Sequence, residues 1–376
     1  MPRDVVITGL GAATPIDCGK GIEVFWKGLC DGINIIKPIT SFNTNGHKCS
    51  VGGEIPGFEV NDRCTKIFSL ACEQAIIDSG ISFHSELAGI SFGSILAGIG
   101  DREKSYFPSY ISGVIAKRWN LRGPNFCVNT ACSSGADAVG LAFNEIASGR
   151  IDVMLAGAVD LLSEFAFQGF NALDALTKDG LVRPFDKNRT GLALSDGAGV
   201  VLLEERAHAQ KRAARIYAQV NGFASCSDAY HLVRPQPEGY GLSMAITRAI
   251  DNSGIGLNDV GFINAHGTGT TYNDVMETKA IKRAFGRVAS GIKISSIKAM
   301  IGHALGASSL IGIISCVKTM ESGEIPPTIN YQSLDQECDL DYVFNKSCKK
   351  EVNFCMSLSA GFGGQNSAIV LKKEGK

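Results

Sequence analysis

One cysteine in this chain stands where a nucleophile would be placed. The run Val128-Asn129-Thr130-Ala131-Cys132-Ser133-Ser134-Gly135 passes from a β-branched entry through a small-residue elbow. A long stretch of helix formers, Ala138 to Ser148, follows it. A sulfur at such a helix mouth meets unpaired backbone N–H groups and the positive end of the helix dipole, which favour thiolate over thiol. The small neighbours leave room for a substrate, so Cys132 is a candidate nucleophile. Taken alone, such a cysteine reads more readily as packing in a tight helix–strand contact. Two histidines far downstream move the reading toward chemistry. His266 closes Ile263-Asn264-Ala265 and is followed by Gly267-Thr268-Gly269-Thr270. His303 lies in Met300-Ile301-Gly302-His303-Ala304, five residues after Lys298. Strand ends are where open α/β sheets build their sites, and alternating Gly and Thr admit an extended polar ligand.

One cysteine and two histidines make metal binding the obvious rival. The three are far apart in sequence, no second ligand sits at motif spacing from either histidine, and Lys298 is close to one of them. No metal is therefore expected. A Cys–His hydrolase would use one histidine as base and leave the second, with Lys298, without a role.

These residues need an α/β framework to meet. At 376 residues the chain is too long for one small core and suggests two domains or a fused pair. A hydrophobic content of 45% with 44 glycines suits packed strands and helices joined by tight loops. The net charge of −1 excludes a global field for nucleic acid or membrane surfaces. Twelve cysteines occur with no CxxC pair, and no N-terminal apolar segment precedes the first strand. Reduced thiols in a cytoplasmic protein without a membrane span are the expectation.

The run Asp4 to Gly11 predicts a buried strand. Its Gly9-x-Gly11 lacks the third glycine of a dinucleotide fingerprint, and Pro15 interrupts a helix start. Helical patterns cover 22–30, 62–79, 109–119 and 138–148, then a basic exposed segment at 207–215, then 241–253, 274–285 and 304–322. Strands are expected at 90–94, 152–158, 199–204, 216–223, 260–265, 293–296, 355–359 and 368–371, with 163–188 as an irregular excursion. Ile146-Ala147-Ser148-Gly149 and Met320-Glu321-Ser322-Gly323 close two similar strand–loop–helix units. That echo predicts two related halves, residues 1–225 carrying Cys132 and residues 226–376 carrying both histidines.

Taken together, the motifs resemble those of a β-ketoacyl-acyl-carrier-protein synthase of the elongating type, in the thiolase-like superfamily. The resemblance spans essentially the whole chain. It rests on Val6-Ile7-Thr8-Gly9-Leu10-Gly11, the Cys132 elbow, Arg183-Pro184-Phe185-Asp186, Asp196-Gly197-Ala198-Gly199 and Ser227-Asp228-Ala229-Tyr230-His231. Asn264 to Thr268, Lys298 to Gly306 and Gly361-Phe362-Gly363-Gly364 complete it. The resemblance implies a five-layered αβαβα fold of two duplicated halves. It implies Cys132 as the acyl-accepting nucleophile, with His266 and His303 bonding the thioester carbonyl of the extender. Lys298 would support the His303 region, and Glu277 would anchor it. Phe362 would be a gate whose N–H, with that of Cys132, forms the oxyanion hole. Thr268, Thr270 and Gly363 would meet a phosphopantetheine arm. The implied reaction is decarboxylative Claisen condensation of malonyl-carrier protein with an acyl primer, elongating fatty acyl chains. No cofactor is implied beyond the phosphopantetheine of a partner acyl carrier protein, and a dimer, homo- or heteromeric, is implied.

Gly269, Ala360 and Gln365 depart from common serine, aromatic and threonine positions at the pocket mouth. They leave open a ketosynthase subunit of a specialised polyketide or polyene pathway. A non-catalytic scaffold subunit is a further alternative, and a thiolase would need a second cysteine that neither loop contains. Arg63, Lys66, Lys211, Arg212 and Arg215 read as a solvated face or as docking charge for an acidic carrier. Phe165, Phe167 and Phe170 read as core, acyl tunnel or dimer contact. Cys127 reads as buried packing and His231 as a hydrogen-bonded structural residue. His47, His84 and His208 suggest no role.

Overall fold

The computed structural model describes residues 2–58, 62–83, 87–99 and 107–375. Ten strands carry the fold. The first five in chain order are β1 (Val5–Ala13), β2 (Ala88–Gly93), β3 (Asn125–Val128), β4 (Val153–Asp160) and β5 (Gly197–Glu205). The second five are β6 (Ala218–Ser227), β7 (Val260–Asn264), β8 (Lys293–Ser295), β9 (Phe354–Gly361) and β10 (Gln365–Lys373). Their order across the sheet is β8-β7-β9-β10-β6-β1-β5-β4-β2-β3.

Outward from β1 the first set runs first, fifth, fourth, second, third, and outward from β6 the second set runs the same way. The pairings match as well. In each set the second strand lies parallel to both the third and the fourth, and the other contacts are antiparallel. The two sets pair edge to edge through Val5↔Val220, Val6↔Gln219 and Ile7↔Ala218.

Seven helices position the site. They are α1 (Arg63–Ser79), α2 (Pro108–Trp119), α3 (Ser134–Ala147), α4 (Glu164–Ala172), α5 (Tyr240–Ser253), α6 (Asn273–Phe285) and α7 (Ala307–Ser322). Helices α1 and α2 cover the outer face of the first set, and α5, with α6 alongside, covers the second. Helices α3 and α7 lie between the sets, touching strands of both and each other. This is the expected αβαβα layering. Every residue from Ala307 to Met320 is buried, the Lys318 ammonium among them paired with Glu23 at 2.8 Å. Truncating Ile311 or Ile313 there to alanine would cost roughly 2–5 kcal/mol. Strands β1 and β4 read as continuous apolar runs because both faces are covered.

The N-terminal glycines serve packing. A Cβ on Gly9 would lie 2.2 Å from the Ala75 carbonyl oxygen, and one on Gly11 would lie 1.9 Å from that of Ala71. Helix α1 therefore rests directly on β1.

Several expectations need correction. The division at 225/226 falls inside β6, and the strand order places the start of the second set at Ala218. The excursion at 163–188 contains α4. Its start is set by the Ser163 hydroxyl, which accepts the Ala166 N–H at 3.2 Å, and by Glu164 in the first turn. The basic helix is only Arg206–Lys211, since the chain turns left-handed at Ala213. Helix α7 starts at Ala307 because Leu305 has φ +47°. All twelve cysteines are free thiols. Among the described residues no helix is long and apolar enough to cross a membrane.

Candidate active site

Cys132 sits at the bend between β3 and α3. Ala131 holds φ +51°, a left-handed conformation that costs an L-residue about 1–3 kcal/mol unless its surroundings fix it. Here they do. Ser134 Oγ donates to the Ala131 carbonyl at 2.6 Å and accepts the Thr130 N–H at 3.0 Å. The strain turns the Cys132 side chain away from the strand line, and the residue remains buried.

His303 comes from the loop between the short helix Lys298–Ile301 and α7. The first-half segment 193–195 pins its backbone. The His303 N–H donates to Ala193 at 2.8 Å, and its carbonyl accepts from Ser195 at 3.0 Å. Its Nε2 lies 3.2 Å from the Cys132 Sγ, and its Nδ1 lies 2.8 Å from the Ser308 hydroxyl. A hydroxyl donates or accepts, so Ser308 serves either ring tautomer.

His266 follows β7. Its ring meets that of His303 edge to face, with centroids 5.5 Å apart. One ligating atom each from Cys132, His266 and His303 lies within 4.8 Å of the other two. Glu277 on α6 accepts the backbone N–H groups of His266 at 2.6 Å and Gly267 at 2.8 Å. Lys298 Nζ donates to the His266 carbonyl at 2.6 Å. The lysine therefore holds His266, and not the His303 region, because its side chain reaches across to the strand-end loop. Glu277 likewise grips the His266–Gly267 peptides.

Burial pushes both imidazoles well below the ordinary histidine range, and the Lys298 charge pushes the same way. Both rings are neutral at physiological pH. Burial pushes the Cys132 thiol up to about 11, against the Lys298 charge and the N–H groups of Phe362 and Cys132, which point at the sulfur. A helix terminus is worth at most about 2 kcal/mol to a charge. The resting group is thus a thiol beside a neutral base, contrary to the thiolate expected from its position. Burial also drives Glu277 up and Lys298 down, each resisting the other's shift.

The loop after β9 closes the site. A Cβ on Gly361 would lie 3.0 Å from the Cys132 nitrogen, so glycine lets this segment approach the elbow more closely than a side chain would without displacing it. The Phe362 ring stacks on Phe170 of α4 at 5.4 Å. Ser133 Oγ donates to the Gln365 carbonyl at 3.0 Å. A cavity of about 570 Å³ opens here, with Cys132, His266, His303, Thr268, Thr270 and Phe362 in its lining. The Thr268 and Thr270 hydroxyls are 2.9 Å apart. Gly363 is not in that lining; its N–H donates to Leu232 at 2.7 Å. The cavity rim carries Lys178, Arg234 and Tyr272. A second cavity of about 510 Å³ opens beside Glu54 and Arg63. Glu54 accepts from Thr40 and Ser41, and Arg63 is paired with Asp196.

The remaining candidates separate. Arg63 holds Asp196 at 2.9 Å, Arg212 holds Glu204 at 2.8 Å and Arg215 pairs with Glu321, so these are structural ion pairs. Lys66 and Lys211 lie on the surface. Phe167 is core, Phe165 is exposed and Phe170 lines the cavity. Cys127 is exposed, because β3 is the sheet's edge strand. His231 Nδ1 accepts the Val233 N–H at 3.1 Å and lies at the cavity. His47 lies edge-on to Phe167, and His208 bonds Glu204. His84 lies outside the described residues. Sequence reasoning missed Ser308 and left Phe170 unresolved. The spacing of Ser308, five residues past His303, was the available signal.

Known proteins share this architecture. The model of the β-ketoacyl synthase N-terminal domain matches residues 58–209, and that of the C-terminal domain matches 217–332. The chain is 38% identical to the 3-oxoacyl-[acyl-carrier-protein] synthase 2 of Synechocystis sp., covering 99% of this chain and 98% of that one. It is 35% identical to the protein of the same name in Staphylococcus aureus, again over 99% and 98%. Among solved structures, a ketosynthase bound to the hexaketide, in complex with its type II PKS acyl-carrier protein, superposes with a TM-score of 0.93 at 30% identity. An ishigamide ketosynthase/chain length factor gives 0.91 at 33% identity. Both cover the whole of each chain.

Proposed function

The chain belongs to the β-ketoacyl synthase family, and on that premise we propose how its residues carry out decarboxylative Claisen condensation on carrier-protein thioesters. The Cys132 Sγ attacks the thioester carbonyl of the acyl primer while its proton passes to His303 Nε2. The oxyanion that forms takes hydrogen bonds from the N–H groups of Cys132 and Phe362. Collapse expels the carrier thiol, which recovers the proton, and leaves the acyl group on Cys132.

Malonyl-carrier protein then places its thioester oxygen between His266 and His303. Its C–C bond to the carboxylate breaks, CO₂ leaves, and the electron pair moves into an enolate on that oxygen. With Cys132 acylated, Ser308 donates to Nδ1 and His303 carries its proton on Nε2, so two neutral imidazole N–H groups hold the enolate without being acidic enough to quench its carbon. Each such donor is worth roughly 2.7–4 kcal/mol of barrier. The carbon attacks the Cys132 thioester, the C–S bond breaks, and the sulfur leaves as a thiolate that takes up one proton from solvent as the β-ketoacyl product departs. Lys298 and Glu277 act as positioning residues through the His266 backbone. Thr268 and Thr270 face the arm of the incoming substrate.

The observation that carries this reading is the 3.2 Å contact of His303 Nε2 with the Cys132 sulfur, beside a second neutral imidazole. No metal or redox cofactor is needed, since phosphopantetheine belongs to the partner acyl carrier protein. The same cysteine and histidines could ligate a soft cation, but the Lys298 ammonium beside them opposes one. Lys178 and Arg234 at the rim suit an acidic carrier. The edge strand β3, with alternate residues exposed, suits a dimer contact, homo- or heteromeric. Twelve free thiols suit the cytoplasm.

Incubation with malonyl-carrier protein and primers of graded length should yield CO₂ and β-keto product; neither from any primer would overturn the assignment. A specialised polyketide or polyene role is the second reading, favoured by Ala360 in the cavity lining. Multiple condensations per primer would select it, and single two-carbon extension would select fatty acyl elongation. A scaffold subunit is disfavoured by the complete Cys132, His266 and His303 set, and would form no acyl thioester at Cys132 with an acyl-carrier primer.

A further inference from the structure

Asp160 ends β4, and no side-chain atom of this residue reaches solvent. Its carboxylate accepts from the Ser94 hydroxyl at 2.8 Å, the Ile95 N–H at 3.0 Å, the Leu96 N–H at 3.0 Å and the Gly306 N–H at 2.9 Å. Every partner is a donor. Burial pushes this carboxyl up and its four donors pull it back; a proton on it would have nothing to bond to, so the donor geometry favours the ionised form. The last partner matters most. Gly306 lies three residues after His303, and its own carbonyl accepts the N–H of Gly135 at 3.1 Å. Gly135 lies three residues after Cys132. One carboxylate thus ties the loop after β2 to the histidine loop, and through it to the start of the cysteine helix. A Cβ at position 306 would lie 2.8 Å from the carboxylate, so the approach requires glycine.

We propose that Asp160 is a positioning residue for the Cys132–His303 pair, fixing their approach through Gly306 and setting its own negative charge beside them. The proposal rests on the ketosynthase reading for its turnover readout but not for its thiol readout. Of the charged groups around the sulfur, Asp160 and Lys298 act on it with opposite sign: the carboxylate holds the thiol up and the ammonium pulls it down. His266 and His303, the other titratable groups facing it, are neutral. Asp137 on α3 bonds Ser367 at 2.5 Å.

The test is Asp160→Asn, followed by the rate of Cys132 alkylation with iodoacetamide against pH and by kcat and KM for condensation. Removing the negative charge should move the alkylation midpoint down by about one pH unit. It should lower kcat about ten- to a hundredfold, with KM little changed, as misplacement of reacting groups does. A residue that only stabilises the fold would lower Tm and leave the alkylation midpoint in place. A folded D160N protein with an unshifted or raised midpoint overturns the proposal. Should D160N not fold, Ser94→Ala removes one donor while keeping both charges. It should then lower kcat severalfold at an unchanged midpoint, and wild-type kcat in S94A overturns the proposal. Loss of condensation in the wild-type protein with the predicted midpoint shift in D160N would sink the ketosynthase reading alone.

Discussion

The Nε2 of His303 faces the Sγ of Cys132 at 3.2 Å, as a neutral base beside a protonated thiol. Burial has set both protonation states. Alkylation of Cys132 should therefore keep accelerating from pH 8 through pH 10, as a thiol pushed up to about 11 ionises. A plateau near pH 7 would mean a preformed thiolate–imidazolium pair and would contradict this geometry.

Ser308 is the partner of the other His303 nitrogen, at 2.8 Å. Ser308→Ala should leave the fold intact and lower kcat about tenfold, the worth of one hydrogen bond of about 1.4 kcal/mol. KM should change little, because the hydroxyl touches no substrate. An unchanged kcat would show that the ring is oriented by packing alone.

Buried neutral histidines make the protein acid-sensitive. His266 and His303 are depressed below 6.5, so the unfolded chain binds protons below that pH which the native state refuses. Their contribution is present above pH 6.5 and is lost as pH falls, at about 1.4 kcal/mol per pH unit for each ring. Glu277, raised by burial, acts with the opposite sign and offsets part of the slope. Urea midpoints measured between pH 4 and 7 should fall with acid, and less steeply in His303→Gln. Parallel slopes in the two proteins would refute the assignment.

Lys298 depresses the thiol and both imidazoles. Lys298→Met should raise all three. The alkylation midpoint should move up, and the acid limb of malonyl decarboxylation should move up with it, toward pH 6.5. Loss of the bond to the His266 carbonyl should also cut decarboxylation at its pH optimum by about tenfold or more. An acid limb at the wild-type position would remove Lys298 from the electrostatics of the site.

The two halves of the reaction use different residues. Cys132→Ala should abolish condensation while CO₂ release from malonyl-carrier protein persists, since the imidazoles that hold the enolate remain. His266→Ala should cut CO₂ release by about 10²–10³-fold while primer transfer to Cys132 survives. Coupled loss of both activities in each variant would argue against the division of labour.

Much of this was legible in the chain. Buried strands gave continuous apolar runs, and the Cys132 elbow, both histidine loops and the Gly361–Gly364 loop announced themselves by small residues between such runs. What could not be read depends on contacts between distant segments. Helix α4 carries Phe165 on the surface beside buried Ala166 and Phe167, which blurs its apolar stripe. Cys127 looked buried because its neighbours are apolar, but whether a strand lies at a sheet edge is set by topology. Lys298 is near His303 in sequence and bonded to His266 in space. The thiol's protonation was misjudged for the same reason: helix position is local, whereas desolvation comes from the whole packed cavity.

The repeated strand order has a consequence for how activity arises during synthesis. Helix α3 brings the sulfur from one repeat, the loops after β7 and before α7 bring the two imidazoles from the other, and the two meet only where the repeats dock. A ribosome that has released only the first repeat has made a cysteine with no base opposite it. The nascent half is chemically mute, and reactivity is born in the last docking event.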